Sequence, residues 1–142
     1  MKRLVPIIAA LLLLQACGSG PAPQHSATIH LPAVPGRPAG GYFELRIEGE
    51  RGALVSVTSP QAGRIEMHET MNMANMTSMR TLARIPVHDG DILRFIAGGR
   101  HLMIYDLSPN LAPGGKIELV LHFERGEPIT LSAALVAAGQ EQ

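Results

Sequence analysis

From Gly41 onward the chain is a succession of short apolar-rich runs, each closed by turn residues, and none repeats with a helical period over three turns. The runs are GYFELRI (41–47), ALVSVTS (53–59), GRIEMH (63–68), TLARIPV (81–87), DILRFIA (91–97), RHLMIYDL (100–107), KIELVLHF (116–123) and PITLSAALV (128–136). Gly, Pro, Asn and Asp punctuate them in HDGD, AGG, SPNLAPGG and ERGEP. Short strands at this spacing predict an all-β domain, an antiparallel sandwich or barrel of about seven to nine strands. In GRIEMH the alternation sets Ile65 and Met67 on one face and Arg64, Glu66 and His68 on the other.

The N-terminus has a different character. Lys2 and Arg3 precede an apolar run from Leu4 to Leu14, and Ala16 precedes Cys17. That is a secretory signal over residues 1–16, too short for a stable transmembrane anchor. Its end, LLQAC, resembles the lipobox of bacterial lipoproteins, with Cys17 as the lipidated residue. Gly18 in place of an aspartate resembles outer-membrane sorting. Residues 17–39, rich in Pro, Gly, Ser and Ala, read as a lipidated N-terminus and flexible tether, within which ATIHLP is a candidate short edge strand. The domain is expected over 40–138, followed by a tail over 139–142. These features predict a protein facing the periplasm and tied to the bacterial envelope by its lipid.

Lys plus Arg and Asp plus Glu are balanced at 12 each, so no basic excess points to nucleic acid. Cys17 is the only cysteine, which leaves the domain without a disulfide or a thiolate ligand. No G-x-S-x-G, zinc signature or C-x-x-C-H occurs, and the sequence reads as a non-enzyme. An electron-transfer copper site would need a cysteine beside its histidines, and the domain has none to offer.

Five of the chain's seven methionines fall within MHETMNMANMTSM, residues 67–79. His68 is followed eleven positions later by Met79, and RHLMIYDL carries His101 and Met103 two apart, on one face of a strand. The spacing His-x10-Met-x21-His-x-Met thus supplies two imidazoles and two thioethers from three segments. Thioether sulfur is soft and uncharged, a poor ligand for Zn²⁺, Mg²⁺ or Ca²⁺ but a good one for Cu(I). It also survives an oxidising compartment without forming disulfides.

This spacing, with the contexts SPQAGRIEMHE and GGRHLM, closely resembles the PCuAC family of periplasmic copper chaperones over residues 40–136. The resemblance implies a cupredoxin-like β-sandwich or barrel that binds Cu(I) through His68, Met79, His101 and Met103. It also implies an acceptor protein, either subunit II of cytochrome c oxidase or another periplasmic copper chaperone. Two departures stand out. Arg100 occupies a position where the family usually has an aromatic residue, and the tail AAGQEQ lacks the His and Met ligands that some members carry. A sequestration or resistance protein using the same site, and a structural lipoprotein without metal, are the alternative readings.

Met67 is expected in the core. Met71, Met73 and Met76 have two open readings, adaptable packing in a loop over the site or auxiliary copper ligands, with Met73 and Met76 the better auxiliary candidates. His88 reads as a solvated turn residue, His122 as structural, and His25 and His30 as residues of the tether with at most a weak second copper contact. Glu66 and Glu69, which flank His68, read as solvated carboxylates at a strand edge, with orientation of an imidazole or softening of local charge as the alternative.

Overall fold

A computed structural model describes residues 26–140. The signal segment 1–16, Cys17 and His25 lie outside the described residues. Among those described there is no helix, and ten strands are present: β1 (Ala27–His30), β2 (Ala39–Arg46), β3 (Ala53–Thr58), β4 (Ala62–Met73), β5 (Met76–Thr81), β6 (Ile85–Pro86), β7 (Ile92–Phe95), β8 (Arg100–Leu107), β9 (Lys116–Phe123) and β10 (Ile129–Val136). The all-β expectation holds, with one strand more than the upper count.

Hydrogen-bonded neighbours run β5-β4-β8-β2-β1-β10-β9-β3-β6, with β7 joined to β2. β3 and β4 stand far apart on this path, yet only the turn over 59–61 separates them in sequence. The path must therefore curl back on itself, which turns one twisted sheet into two facing layers around a core. β2 makes the bend. Its first residues, Ala39–Gly41, pair with β8, and Phe43–Arg46 pair with β7. Phe43 and Phe95 stack in the interior with ring centroids 4.5 Å apart, and Leu45, Leu54, Leu102, Ile104, Leu119 and Leu121 close around them. Met67 joins this cluster, as its alternation requires.

Outside the methionine-rich stretch, three features differ from the sequence reading. β1 is neither tether nor edge. It lies between β2 and β10, with Ile29 fully buried, so the folded unit includes Ala27–His30, ahead of the expected start at residue 40. Two-sided pairing and an isoleucine in the core outweigh the Pro- and Gly-rich flanks. β1 also runs parallel to β10, which makes the sheet mixed rather than purely antiparallel. Lastly, TLARIPV does not form one strand. Thr81 ends β5, and Pro86, which has no N–H to donate, restricts β6 to two residues at the opposite edge of the sheet.

The methionine-rich stretch, expected as a loop, is a β-hairpin. β4 runs on to Met73, the chain turns through Ala74 and Asn75, and β5 returns in continuous register from Met73↔Met76 to His68↔Thr81. Ala74 takes a φ of +52°, a left-handed conformation that costs a residue with a Cβ about 1 kcal/mol. Ala74→Gly is expected to relieve this and slow amide hydrogen exchange at the hairpin tip. Unchanged or faster exchange of the Thr77 and Ser78 amides would show that the turn is not strained.

Candidate metal centre

The three strands at one end of the path, β5, β4 and β8, bring the two histidines together. His68 and His101 are direct cross-strand partners, their ring centroids 5.8 Å apart and tilted by 53°. Paired positions in adjacent strands share a face, so the face with His68 also carries Met103 and Thr81. The Thr81 hydroxyl lies 3.4 Å from Nε2 of His68, which fixes that side on β5. Met79, two residues from Thr81, shares it. All four residues of the sequence motif thus lie on one face of three adjacent strands.

Exposure grades across this face. His101 is buried at 8 %, His68 and Met103 are half-buried, and Met79 at the outer edge is 61 % exposed. The set runs from a closed inner side to an open outer one.

Hydrogen bonds determine which ring nitrogens are free. Nδ1 of His101 sits 3.1 Å from the carbonyl oxygen of Gly99, an acceptor only, so Nδ1 carries the proton and Nε2 of the neutral ring keeps its lone pair. His68 is turned the other way. Its Nε2 donates to the Glu66 carboxylate at 3.0 Å, and its Nδ1 is buried with no hydrogen-bond partner. Burying such a nitrogen unpaired costs about 1–3 kcal/mol. A metal ion accepting its lone pair would remove that cost, and imidazole–metal bonds of about 2 Å are compatible with the observed ring separation. Among the described residues no cluster of three or more His, Cys, Asp or Glu side chains forms a metal site, and the further donors that the motif places on this face are the thioethers of Met79 and Met103.

Glu66 takes the alternative reading, a carboxylate that orients the imidazole, in place of the solvated one. It accepts from His68, from the Tyr105 hydroxyl at 3.3 Å and from Arg64 at 3.0 Å, and Arg64 also stacks on the Tyr105 ring. The His68 hydrogen bond, aided by Arg64 and Tyr105, holds the Glu66 carboxyl below the ordinary carboxylate value. It is therefore an anion that fixes the His68 ring in the tautomer that leaves the lone pair on the buried Nδ1. The Glu-x-His spacing on one strand face was the available signal. Glu69, one position past His68 and on the opposite face, pairs instead with Arg80 at 2.6 Å and with Arg100 at 3.5 Å. The Arg80 bond likewise keeps its carboxyl low. Arg100 is thus directed to a carboxylate on the face away from the histidines.

The other candidates lie elsewhere. Register sets Met73 and Met76 at the hairpin tip on the face opposite His68 and Met79. His88 is exposed in its turn beside Asp91, His122 bonds the Thr58 hydroxyl at 2.8 Å, and His30 packs edge-on against Tyr42.

Residues 25–135 match the family described as "Putative lipoprotein LpqE-like". The chain belongs to the LpqE-like family. No curated protein matches its sequence significantly. Among solved structures, the LpqE-like chain is similar to a copper-bound PCuAC domain from PmoF2, with a TM-score of 0.62 and 20 % identity over 80 % of this chain and 91 % of that one. The apo form of the PmoF2 domain gives a TM-score of 0.65 at 19 % identity, covering 82 % and 90 %. The CuI form of DR1885 from Deinococcus radiodurans gives 0.60 at 21 % identity, covering 86 % and 83 %. The LpqE-like chain therefore has the fold of PCuAC domains, in line with the sequence resemblance.

Proposed function

We propose that this protein is a copper chaperone of the bacterial envelope that carries one Cu(I) on His68, Met79, His101 and Met103. The observation that carries this reading is the buried, unpartnered Nδ1 of His68, on a residue paired directly across two strands with His101, whose Nδ1 bond to Gly99 leaves the lone pair on Nε2. Two neutral imidazoles and two neutral thioethers suit a soft monovalent ion and leave only one charge to accommodate. Two structurally similar domains, the copper-bound PmoF2 domain and the CuI form of DR1885, carry the same metal and support this cargo. The family description and the LLQAC sequence support a lipoprotein anchored at Cys17.

Release follows from the gradient of exposure. Met79 is the outermost donor and sits on the edge strand, so an acceptor ligand can displace it first. Met103 and the histidines then follow in single exchanges, none of which needs the domain to open. The acceptor proposed is the copper centre of cytochrome c oxidase subunit II, or a second periplasmic copper chaperone that serves it.

The test is anaerobic transfer. Protein loaded with one equivalent of Cu(I) is expected to retain it against a chromophoric chelator yet surrender it to the soluble copper domain of subunit II. Retention with no transfer to that domain or to a periplasmic copper chaperone would favour sequestration. Loss to the chelator at the outset would remove the copper reading.

A further inference from the structure

Three thioethers of the hairpin belong to no part of the site above. Continuous register from Met73↔Met76 to His68↔Thr81, together with strand alternation, sets Met71, Met73 and Met76 on the face that carries Glu69 and Arg80. Side-chain contacts agree. Glu69 bonds Arg80 on that face, while His68 meets Thr81, and Asn72 accepts from the Thr77 hydroxyl at 3.0 Å, on the other. The two faces of one ribbon thus hold separate sets of sulfur donors.

On the outer set, Met73 and Met76 are direct cross-strand partners, and Met71 is diagonal to Met76. Such neighbours have Cβ atoms about 4.5–5.5 Å and up to 7–8 Å apart, within the reach of long side chains. Thioethers on three flexible side chains can therefore converge on one point. Core packing does not account for Met73 and Met76, which remain 65 % and 75 % exposed. The tip also lacks fixed charge, since Asn72, Ala74, Asn75, Thr77 and Ser78 are all neutral. The nearest carboxylate on this face, Glu69, is already engaged by Arg80 and Arg100. Hard divalent cations find no oxygen anion here, and a soft monovalent cation finds up to three neutral sulfurs.

We propose that Met71, Met73 and Met76 form a second, thioether-only site for Cu(I) on the face of the hairpin opposite His68, Met79, His101 and Met103. Having no imidazole, it binds more weakly than the four-residue set. It does not depend on that set, because the intervening ribbon prevents shared coordination.

The experiment is a stepwise anaerobic Cu(I) titration of the protein, followed through the methionine ε-methyl resonances. Met103 and Met79 are expected to shift with the first equivalent, and Met71, Met73 and Met76 with a second, weaker one. Met73→Leu with Met76→Leu keeps apolar volume but removes two sulfurs, and should lose the second stage alone. His101→Ala with Met103→Leu should lose the first stage and keep the hairpin stage. A wild-type titration ending at one equivalent would overturn the proposal, as would a second stage unchanged by the leucine pair. Simultaneous movement of all five resonances with the first equivalent would also overturn it. If the first stage survived loss of His101 and Met103, the four-residue reading would fail while the hairpin site stood.

Discussion

Replacing His101 with alanine and Met103 with leucine together is expected to weaken Cu(I) retention at the first site on the order of 1000-fold. Loss of an outer-shell partner typically costs roughly 10–100-fold in metal affinity, and loss of direct ligands costs more. His101 is the more buried of the two histidines and its ring is already oriented by the Gly99 carbonyl, while Met103 would supply a half-buried sulfur on the same strand face. Without them the ion is left with His68 and the exposed Met79, an arrangement open to water and to any competing chelator. His88→Ala and His122→Ala provide the contrast. His88 lies in an exposed turn and His122 is engaged with Thr58, so both variants should hold copper as the wild type does. Equal losses for the two pairs in chelator competition would reject the ligand assignment.

The second large effect is expected at a residue that would not touch the metal. Glu66→Ala removes the anion that accepts from Nε2 of His68 and frees the ring to change tautomer or turn. A loss of roughly 10–100-fold in Cu(I) affinity is expected, the range typical of such outer-shell partners. Glu66→Gln keeps an acceptor oxygen and should lose less. Tyr105→Phe, which removes only a 3.3 Å hydrogen bond to the same carboxylate, should lose least. This graded order distinguishes orientation of His68 from a general effect of surface charge. If alanine and glutamine at 66 behaved alike, Glu66 would act through its charge and not by holding the ring.

β8 and β9 are legible in the sequence to the residue, because RHLMIYDL and KIELVLHF alternate cleanly and are bounded by Gly and Pro. Their core partners, Leu102, Ile104, Ile117, Leu119 and Leu121, fall where period-two alternation requires. β1 was harder to read because four residues between Pro-rich flanks carry little local signal. What makes it internal is pairing with β2 and β10, the latter more than a hundred positions away in the chain. The hairpin failed for another reason. Asn72, Ala74, Asn75 and five methionines are not typical strand formers, and the pair of asparagines suggests a loop. The ladder from β8 through β4 to β5 imposes strand geometry that local preference does not. This matters for the site, since only a hairpin in register divides the methionines between two faces. The motif spacing identified the four residues now found on one face. Tyr105 was not legible, and Glu66 could be named as a candidate orienting carboxylate but not told from Glu69, because that role depends on the His68 tautomer, a property of three-dimensional hydrogen bonding.

The central claim, one Cu(I) held by two imidazoles and two thioethers, is tested most directly by X-ray absorption at the copper edge of protein loaded with one equivalent under anaerobic conditions. The predicted spectrum is that of Cu(I) with two nitrogen scatterers carrying the outer-ring signature of histidine and two sulfur scatterers. The His101→Ala, Met103→Leu variant should no longer give this spectrum. A first equivalent bound by sulfur alone, or by nitrogen and oxygen without sulfur, would contradict the account.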